Sequence, residues 1–413
     1  MIEELYLKGF RGVAEGEMSG LAQINLLVGP NNAGKTTILE ALYLAAAADV
    51  ECQLGTDEGD FWPVLAPAEA DMLGLDPLAR MWKRHGFPAR WDKGSEMVRW
   101  DDGNIRLKLP AALQDCRLLT RDDPLTKTIP REQEQRMAML AAQLSDEGQI
   151  LPAVERYFGE RGAPWEGKRF VFTWFGPFTY WMRGLGGWYV SGEMPGPAMT
   201  LFYDSQVAAE HLPAALIERG HHTTDWLQRI GQHFSAVSDL PGGTDVAFDP
   251  AETDPTRRIG FVKAGGIMHS IDTWGDGARH VFKLLAPLVI FADKVGPERP
   301  GLLLWEAPEL FMNPQTLGRM LRTVIEIIGD KQIQLFMCTQ SIEVLAYLTE
   351  MLQRGEIDRD AAMVFGLALK EGQLQSSWLD ADDLVTWLET GWDPRTLGEF
   401  TGPLHYSLWE EQE

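Results

Sequence analysis

Residues 29–36 read Gly-Pro-Asn-Asn-Ala-Gly-Lys-Thr, an unbroken G-x-x-x-x-G-K-[ST] pattern. No other stretch of the chain constrains the fold as much, because such a loop works only between a buried strand and the N-terminus of a helix. Both flanks comply. Residues 22–28 form an apolar burst of strand length, and TTILEALYLAAAA, from Thr36 onward, combines strong helix formers with Ile38, Leu39, Leu42 and Tyr43 at helical spacing. Glycines let successive backbone N–H groups wrap a phosphate, and the helix N-terminus adds partial positive charge. Lys35 reaches the β and γ oxygens, and the Thr36 hydroxyl suits a Mg²⁺ coordination position. A loop that merely capped a helix would not need Lys35 followed by two threonines. The nucleotide-contacting candidates are Gly29, Asn31, Asn32, Ala33, Gly34, Lys35, Thr36 and Thr37.

Regular α/β texture marks both ends of the chain. Residues 2–9 alternate as a strand does; from about 258, residues 259–262 and 267–271 flank Ala264-Gly265-Gly266 as a hairpin. A helix is expected over 278–292, buried-type strands over 301–305 and 334–339, and a helix over 316–328 with Leu317, Met320, Leu321, Val324, Ile327 and Ile328 on one face. A hairpin around Lys370-Glu371-Gly372 and a short helix from Asp382 follow. Between the ends the texture is irregular: acidic and Trp-rich at 57–102, helical at 131–143, aromatic strands and turns at 168–190. The pattern predicts an α/β fold with a P-loop nucleotide-binding domain assembled from both chain ends, 1–50 and 258–413. A large mixed α+β insertion, 51–257, would serve as lid and partner-binding region.

The 413 residues carry 37 Lys+Arg against 60 Asp+Glu, a formal charge of −23. Such a field repels phosphate backbones, so DNA binding would need a local basic groove working against it. A hydrophobic content of 45% with 23% charged residues excludes wholesale disorder. Cys52, Cys116 and Cys338 lie far apart without a CxxC, which fits a reducing cytosol. The acidic start MIEELYLKGF lacks the order of a signal peptide, and the apolar run 281–292 is short and contains Lys283. A cytoplasmic chain without a membrane span is expected.

With these motifs in place, LYLKGFRG…INLLVGPNNAGKTTILEAL resembles the N-terminus of ABC-type ATPases of the RecF, SMC and overcoming-lysogenization-defect (OLD) branch, including stand-alone ATPases of bacterial phage-defence pairs such as PARIS. The likeness covers about residues 1–45 and 258–400. It implies ATP and Mg²⁺ as cofactors and a composite site in which one subunit's P-loop faces a signature motif of a second. ATP would then close a homodimer or higher oligomer. By the same resemblance the signature is Ser270-Ile-Asp-Thr-Trp-Gly275-Asp-Gly277-Ala-Arg279-His280. Two glycines before a helix permit close approach of a γ-phosphate, and Arg279 adds charge. Arg11, near Lys8 and Phe10, is implied to lie by the phosphates.

Leu302-Leu-Leu-Trp305-Glu306-Ala307-Pro308-Glu309, followed by Asn313-Pro314, is similar to the family's Walker B motif of four apolar residues, Asp-Glu-Pro-Glu and a later His-Pro. Aligned through both prolines, Glu306 takes the place of the Mg²⁺-associated acid and Ala307 that of the catalytic Glu. Another register, with Trp305 at the acid and Glu306 at the base, inserts a residue before Pro308. Gln340 stands where the family has a γ-phosphate-sensing His; it can donate a hydrogen bond but offers no imidazolium charge. Losing a general base typically costs about 10²–10⁴ in rate. ATP is therefore expected to be bound well and hydrolysed slowly. The catalytic candidates are Glu306, Glu309, as surrogate carboxylate, and Gln340; the metal candidates are Thr36 and Glu306.

Asp380-Ala-Asp382-Asp383 is similar to the DxD of TOPRIM nucleases but reads better as an acidic helix cap. The chain is thus expected to lack its own nuclease and to control a separate effector protein, a nuclease or toxin. The aromatics of 168–190 suit a sheet core more than a single-strand stacking platform, and His221-His222 lacks ligand partners at metal spacing. Asp393-Pro-Arg395 is similar to a short acidic-basic motif late in related ATPases. The competing expectation is a RecF- or SMC-like clamp on duplex DNA.

Overall fold

The computed structural model describes residues 2–10, 12–47, 199–205, 207, 211–218, 223–240, 244–252, 254–296 and 300–397, and the course of eight strands between 50 and 194. Antiparallel strands β1 (Glu4–Phe10) and β2 (Val13–Ser19) precede β3 (Ile24–Val28), buried along its whole length, and α1 (Lys35–Ala47) leaves the P-loop at once. The strands known by backbone pairing are β4 (Val50–Leu54), β5 (Phe61–Val64), β6 (Asn104–Lys108), β7 (Gln114–Leu119), β8 (Ile150–Phe158), β9 (Arg169–Phe175), β10 (Thr179–Gly184) and β11 (Gly192–Met194). Then come β12 (Met199–Tyr203), β13 (Leu212–Pro213), α2 (Ala214–Glu218), α3 (Thr223–Ser238), β14 (Val246–Ala251), β15 (Asp254–Ala264) and β16 (Ile267–Ser270). The remainder alternates: α4 (Asp276–Lys294), β17 (Gly301–Glu306), α5 (Pro314–Ile328), β18 (Ile333–Cys338), α6 (Ile342–Gln353), the hairpin β19 (Ala362–Lys370) and β20 (Gln373–Leu379), and α7 (Ala381–Glu389).

One sheet of 13 strands runs in the order β10-β9-β8-β7-β6-β1-β2-β20-β19-β3-β18-β17-β12. One end of it is the parallel block β19, β3, β18, β17 and β12. Parallel strands are covered on both faces by crossover helices, which is why β3, β17 and β18 read as unbroken apolar runs rather than alternating ones. Because β3 lies between β18 and β19, the carboxyl ends of β3, β17 and β18 share one edge, the edge at which open α/β sheets bind ligands.

The expected hairpin after 258 is β15–β16, paired from Phe261↔Ser270 to Ala264↔Ile267. The predicted apolar face of α5 is buried at all six positions, and Asn313 caps that helix by accepting from Thr316 N, with Pro314 in the first turn. Within the 168–190 segment, β9 and β10 pair antiparallel. The helix expected at 131–143 and His221-His222 lie outside the described residues. β12, inside the 51–257 stretch, pairs parallel with β17, and Trp226, Ile230, Phe234 and Val237 of α3 join the same core as α4 and α5. A five-residue strand and a helix of mixed polarity carry too little pattern to announce that membership in sequence.

Helix α4 is apolar on nearly every side, and His280 through Ala292 are all interior. Its one buried cation, Lys283, meets Asp272 at 2.9 Å, and His211 Nε2 approaches the other oxygen of that carboxylate at 3.1 Å. No helix among the described residues is long and apolar enough to cross a membrane.

Close packing of α3 gives a first prediction. A Cβ on Gly231 would sit 1.9 Å from the Thr244 carbonyl oxygen, a backbone atom that cannot swing aside. Gly231→Ala should therefore destabilise the fold by about 1–3 kcal/mol, the range of overpacked interiors; urea unfolding reads it as a lowered midpoint with the same slope.

Candidate nucleotide site

The loop between β3 and α1 turns on backbone that L side chains disfavour: φ is +139° at Gly29 and +90° at Gly34. A Cβ on Gly29 would also lie 2.4 Å from the Leu367 carbonyl oxygen on β19, so only glycine lets the loop leave the sheet there. Ile38 N bonds to Gly34 O at 2.9 Å, opening α1 directly behind the loop. Asn31 and Asn32 are exposed, Ala33 is buried, and Thr36 and Thr37 are half-buried. Lys35, 8% exposed, donates from Nζ to the carbonyls of Gly29 and Pro30, both at 2.7 Å. Burial holds its ammonium below the ordinary lysine value. Neutral carbonyls are modest partners for such a cation, and anionic oxygens would hold it more strongly.

The Thr36 hydroxyl donates to Glu306 Oε1 at 2.6 Å, joining residues 270 positions apart. Trp305, the preceding residue of β17, is 1% exposed and packed in the core, as the alternation of a strand requires. Glu306 is thus the β17 side chain that reaches the loop. Beyond it the chain turns sharply, with φ of +49° at Ala307 and +63° at Phe311, both unusual for residues with a Cβ. Ala307 N is tied to Cys338 O at 2.9 Å. Burial, then the charge of Glu306, pushes the Cys338 thiol up to about 12, so the floor of the site is a neutral thiol.

Glu309 uses both oxygens on the end of β18: Oε2 accepts from Thr339 Oγ1 at 2.8 Å and Oε1 from Gln340 N at 3.2 Å. Gln340 Nε2 in turn donates to Asn31 Oδ1. Three loops from distant parts of the chain, 29–36, 306–312 and 339–341, are thereby laced into one surface.

Gly275, Gly277 and Arg279 form a second group at the N-terminus of α4. Gly275 caps the helix with extended backbone, and a Cβ there would meet nothing within 4 Å. Gly277 is needed for contact: a Cβ on it would come within 2.7 Å of Phe311 O. Arg279 Nη2 bonds to Asp276 Oδ1 at 2.5 Å, and its Nε donates to no protein atom. The His280 ring lies on Phe311 with centroids 4.6 Å apart, while Tyr203 donates its hydroxyl proton to His280 O at 3.1 Å. Burial, then the charge of Arg279, lowers the His280 pKa to about 4, so at neutral pH the cation of this turn is Arg279. The 307–312 loop joins the two groups. Arg11 lies outside the described residues. Sequence reasoning passed over Thr339, and it left Asp393 and Arg395 without a role, although the acidic-basic spacing was visible.

Residues 1–72 match the family model described as AAA ATPase domain. A stretch of 48 residues is 50% identical to an uncharacterised protein of Methanocaldococcus jannaschii, spanning 12% of this chain and 22% of that protein. The chain therefore matches about a fifth of that relative's length. Among solved structures, an SMC head bound to the C-winged helix domain of ScpA is 13% identical with a TM-score of 0.46, covering 92% of this chain and 97% of that one. The SMC head domain from Thermotoga maritima is 11% identical with a TM-score of 0.39 over 92% and 98% of the two chains. The recombination mediator protein RecF is 10% identical with a TM-score of 0.41 over 91% and 98%.

Proposed function

We propose that this ABC-type P-loop ATPase of the RecF and SMC branch binds ATP with Mg²⁺, hydrolyses it slowly, and uses the bound state to close a homodimer or higher oligomer that controls a separate effector. The observation that carries the reading is the 2.6 Å bond from Thr36 to Glu306, a hydroxyl and a carboxylate brought together beside a buried lysine. Oxygen donors of this kind suit a hard divalent cation, so Thr36 and Glu306 are the residues that would hold Mg²⁺. When bound, the ion neutralises charge at the β- and γ-phosphate oxygens. The backbone of 29–37 and Lys35 hold the phosphates, and Gln340 presents its amide on the side joined to Asn31. Ala307 offers no proton acceptor beside Glu306, and Glu309 holds the β18 end with both oxygens, which supports slow hydrolysis.

Gly275 and Arg279 would face the nucleotide of a second copy. Next to them Phe311 is 55% exposed and Leu310 40% exposed, an apolar pair on a strained loop. Phe311→Asp should weaken ATP-dependent dimerisation by at least about tenfold, the cost of burying a charge without a partner, while monomer ATP affinity stays within about threefold. Sedimentation velocity with and without ATP and Mg²⁺ checks the first, and titration of a fluorescent ATP analogue checks the second.

The effector is proposed to be a nuclease or toxin in phage defence. Two features support a separate output: the net charge of −23, and the Asp380–Asp383 acids serving as a helix cap, Asp380 Oδ1 accepting from Asp383 N at 2.8 Å. A mobility-shift assay with duplex DNA and ATP at low and physiological salt tests this. Weak or absent binding is expected; tight ATP-dependent binding with a steep salt slope would replace the effector reading by a DNA clamp.

A further inference from the structure

We infer that Arg395 is a positioning residue for the nucleotide site, setting the backbone of Gln340 from the far end of the chain; the inference rests on the ATP-binding reading above. Arg395 Nε bonds both oxygens of Asp393 at 2.9 Å and Nη2 bonds Oδ2 at 2.5 Å, while Nη1 donates to Gln340 O at 2.8 Å, 55 positions away. The carboxylate therefore aims the planar fork, and the remaining nitrogen grips a backbone carbonyl. Asp393 is 4% exposed. Burial alone would raise its carboxyl, yet the Arg395 bonds outweigh that and hold it below the ordinary value.

The segment has its own anchor. Pro394 is buried, and Leu397 packs so closely on β19 that a Cβ on Gly366 would lie 2.5 Å from Leu397 Cβ. Strand β19 is the direct neighbour of β3, whose end opens the P-loop. Gln340 is thus held at three atoms by three segments: its N by Glu309, its side chain by Asn31 of the P-loop, and its O by Arg395. Gripping the carbonyl fixes the direction in which the residue at 340 projects. A lysine would keep the charge but not the geometry, since a point charge cannot bond both Asp393 oxygens and the carbonyl at fixed angles.

Because the P-loop itself cradles the β-phosphate and Gln340 stands on the γ side of this reading, the effect should be selective. In titrations of fluorescent ATP and ADP analogues with Mg²⁺, Arg395→Ala should weaken ATP about tenfold, the value of one charge-assisted hydrogen bond, and change ADP by less than about twofold. Arg395→Lys should resemble the alanine variant, and should that variant melt early the lysine form carries the same comparison. In a Gln340→Ala background, Arg395→Ala should add little further loss. Equal losses for ATP and ADP that track a fall in melting temperature would make Arg395 a structural brace and overturn the inference. An ATP-to-ADP affinity ratio in Arg395→Ala unchanged from that of an ATP-binding wild type would overturn it alone, whereas failure of the wild type to bind ATP would overturn the nucleotide reading beneath it.

Discussion

Replacing Ala307 with glutamate should raise the single-turnover rate of ATP hydrolysis by about 10²–10⁴-fold, the contribution of a positioned general base. The backbone is ready for the change. Ala307 sits at φ +49°, so the penalty of a Cβ in that region is already present and a longer side chain adds none of it. The residue is half-buried, next to Glu306, and tied through its N–H to Cys338 O, which fixes where the new side chain starts. A glutamate there would start beside the Thr36–Glu306 pair, where a water attacking the γ-phosphate would need a proton acceptor. Quenched-flow hydrolysis with enzyme in excess over ATP measures the gain. An unchanged rate would mean that the absent base does not limit turnover.

The second large effect is at Lys35. Lys35→Ala should weaken ATP binding by about 10²–10³-fold, since charge-assisted hydrogen bonds to phosphate oxygens are each worth about 1.5–3 kcal/mol. The nucleotide-free protein should melt within a few degrees of wild type. Its ammonium is buried against two neutral carbonyls, and burial has already lowered its pKa, so removing it also removes a desolvation cost. Calorimetric titration with ATP and Mg²⁺, paired with a thermal melt, separates the outcomes. Retained affinity would move the nucleotide away from this loop; a collapse in melting temperature would make Lys35 a structural residue.

Much of this site was readable from the chain alone because the P-loop pattern dictates its own flanks. A glycine-bearing loop with Lys35 and Thr36 demands β3 before it and α1 after it, and both are present. The buried face of α5 and the hairpins β15–β16 and β19–β20 were equally legible, since periodicity and turn residues are local properties. Contacts across the sheet were not. The Thr36–Glu306 bond spans 270 positions, and only the likeness to a Walker B run pointed to it. β12 joins β17 as a parallel neighbour through backbone bonds that no side-chain pattern encodes. Arg395 was visible as half of an acidic-basic pair, but its grip on Gln340 O is made to a backbone atom, whose position is set by how β18 ends rather than by residue identity. The left-handed turns at Ala307 and Phe311 were hidden for a related reason: neither residue type announces positive φ.

The most direct test of an ATP-binding, slowly hydrolysing machine is single-turnover hydrolysis of radiolabelled ATP by wild type and Lys35→Ala side by side. A typical enzyme turns over at about 10 s⁻¹, and loss of the base lowers that to roughly 10⁻¹–10⁻³ s⁻¹. The expected result is a wild-type rate in that range that falls to background in Lys35→Ala. A rate of several per second that survives the Lys35→Ala change would contradict both the P-loop as the nucleotide site and the slow hydrolysis built on it.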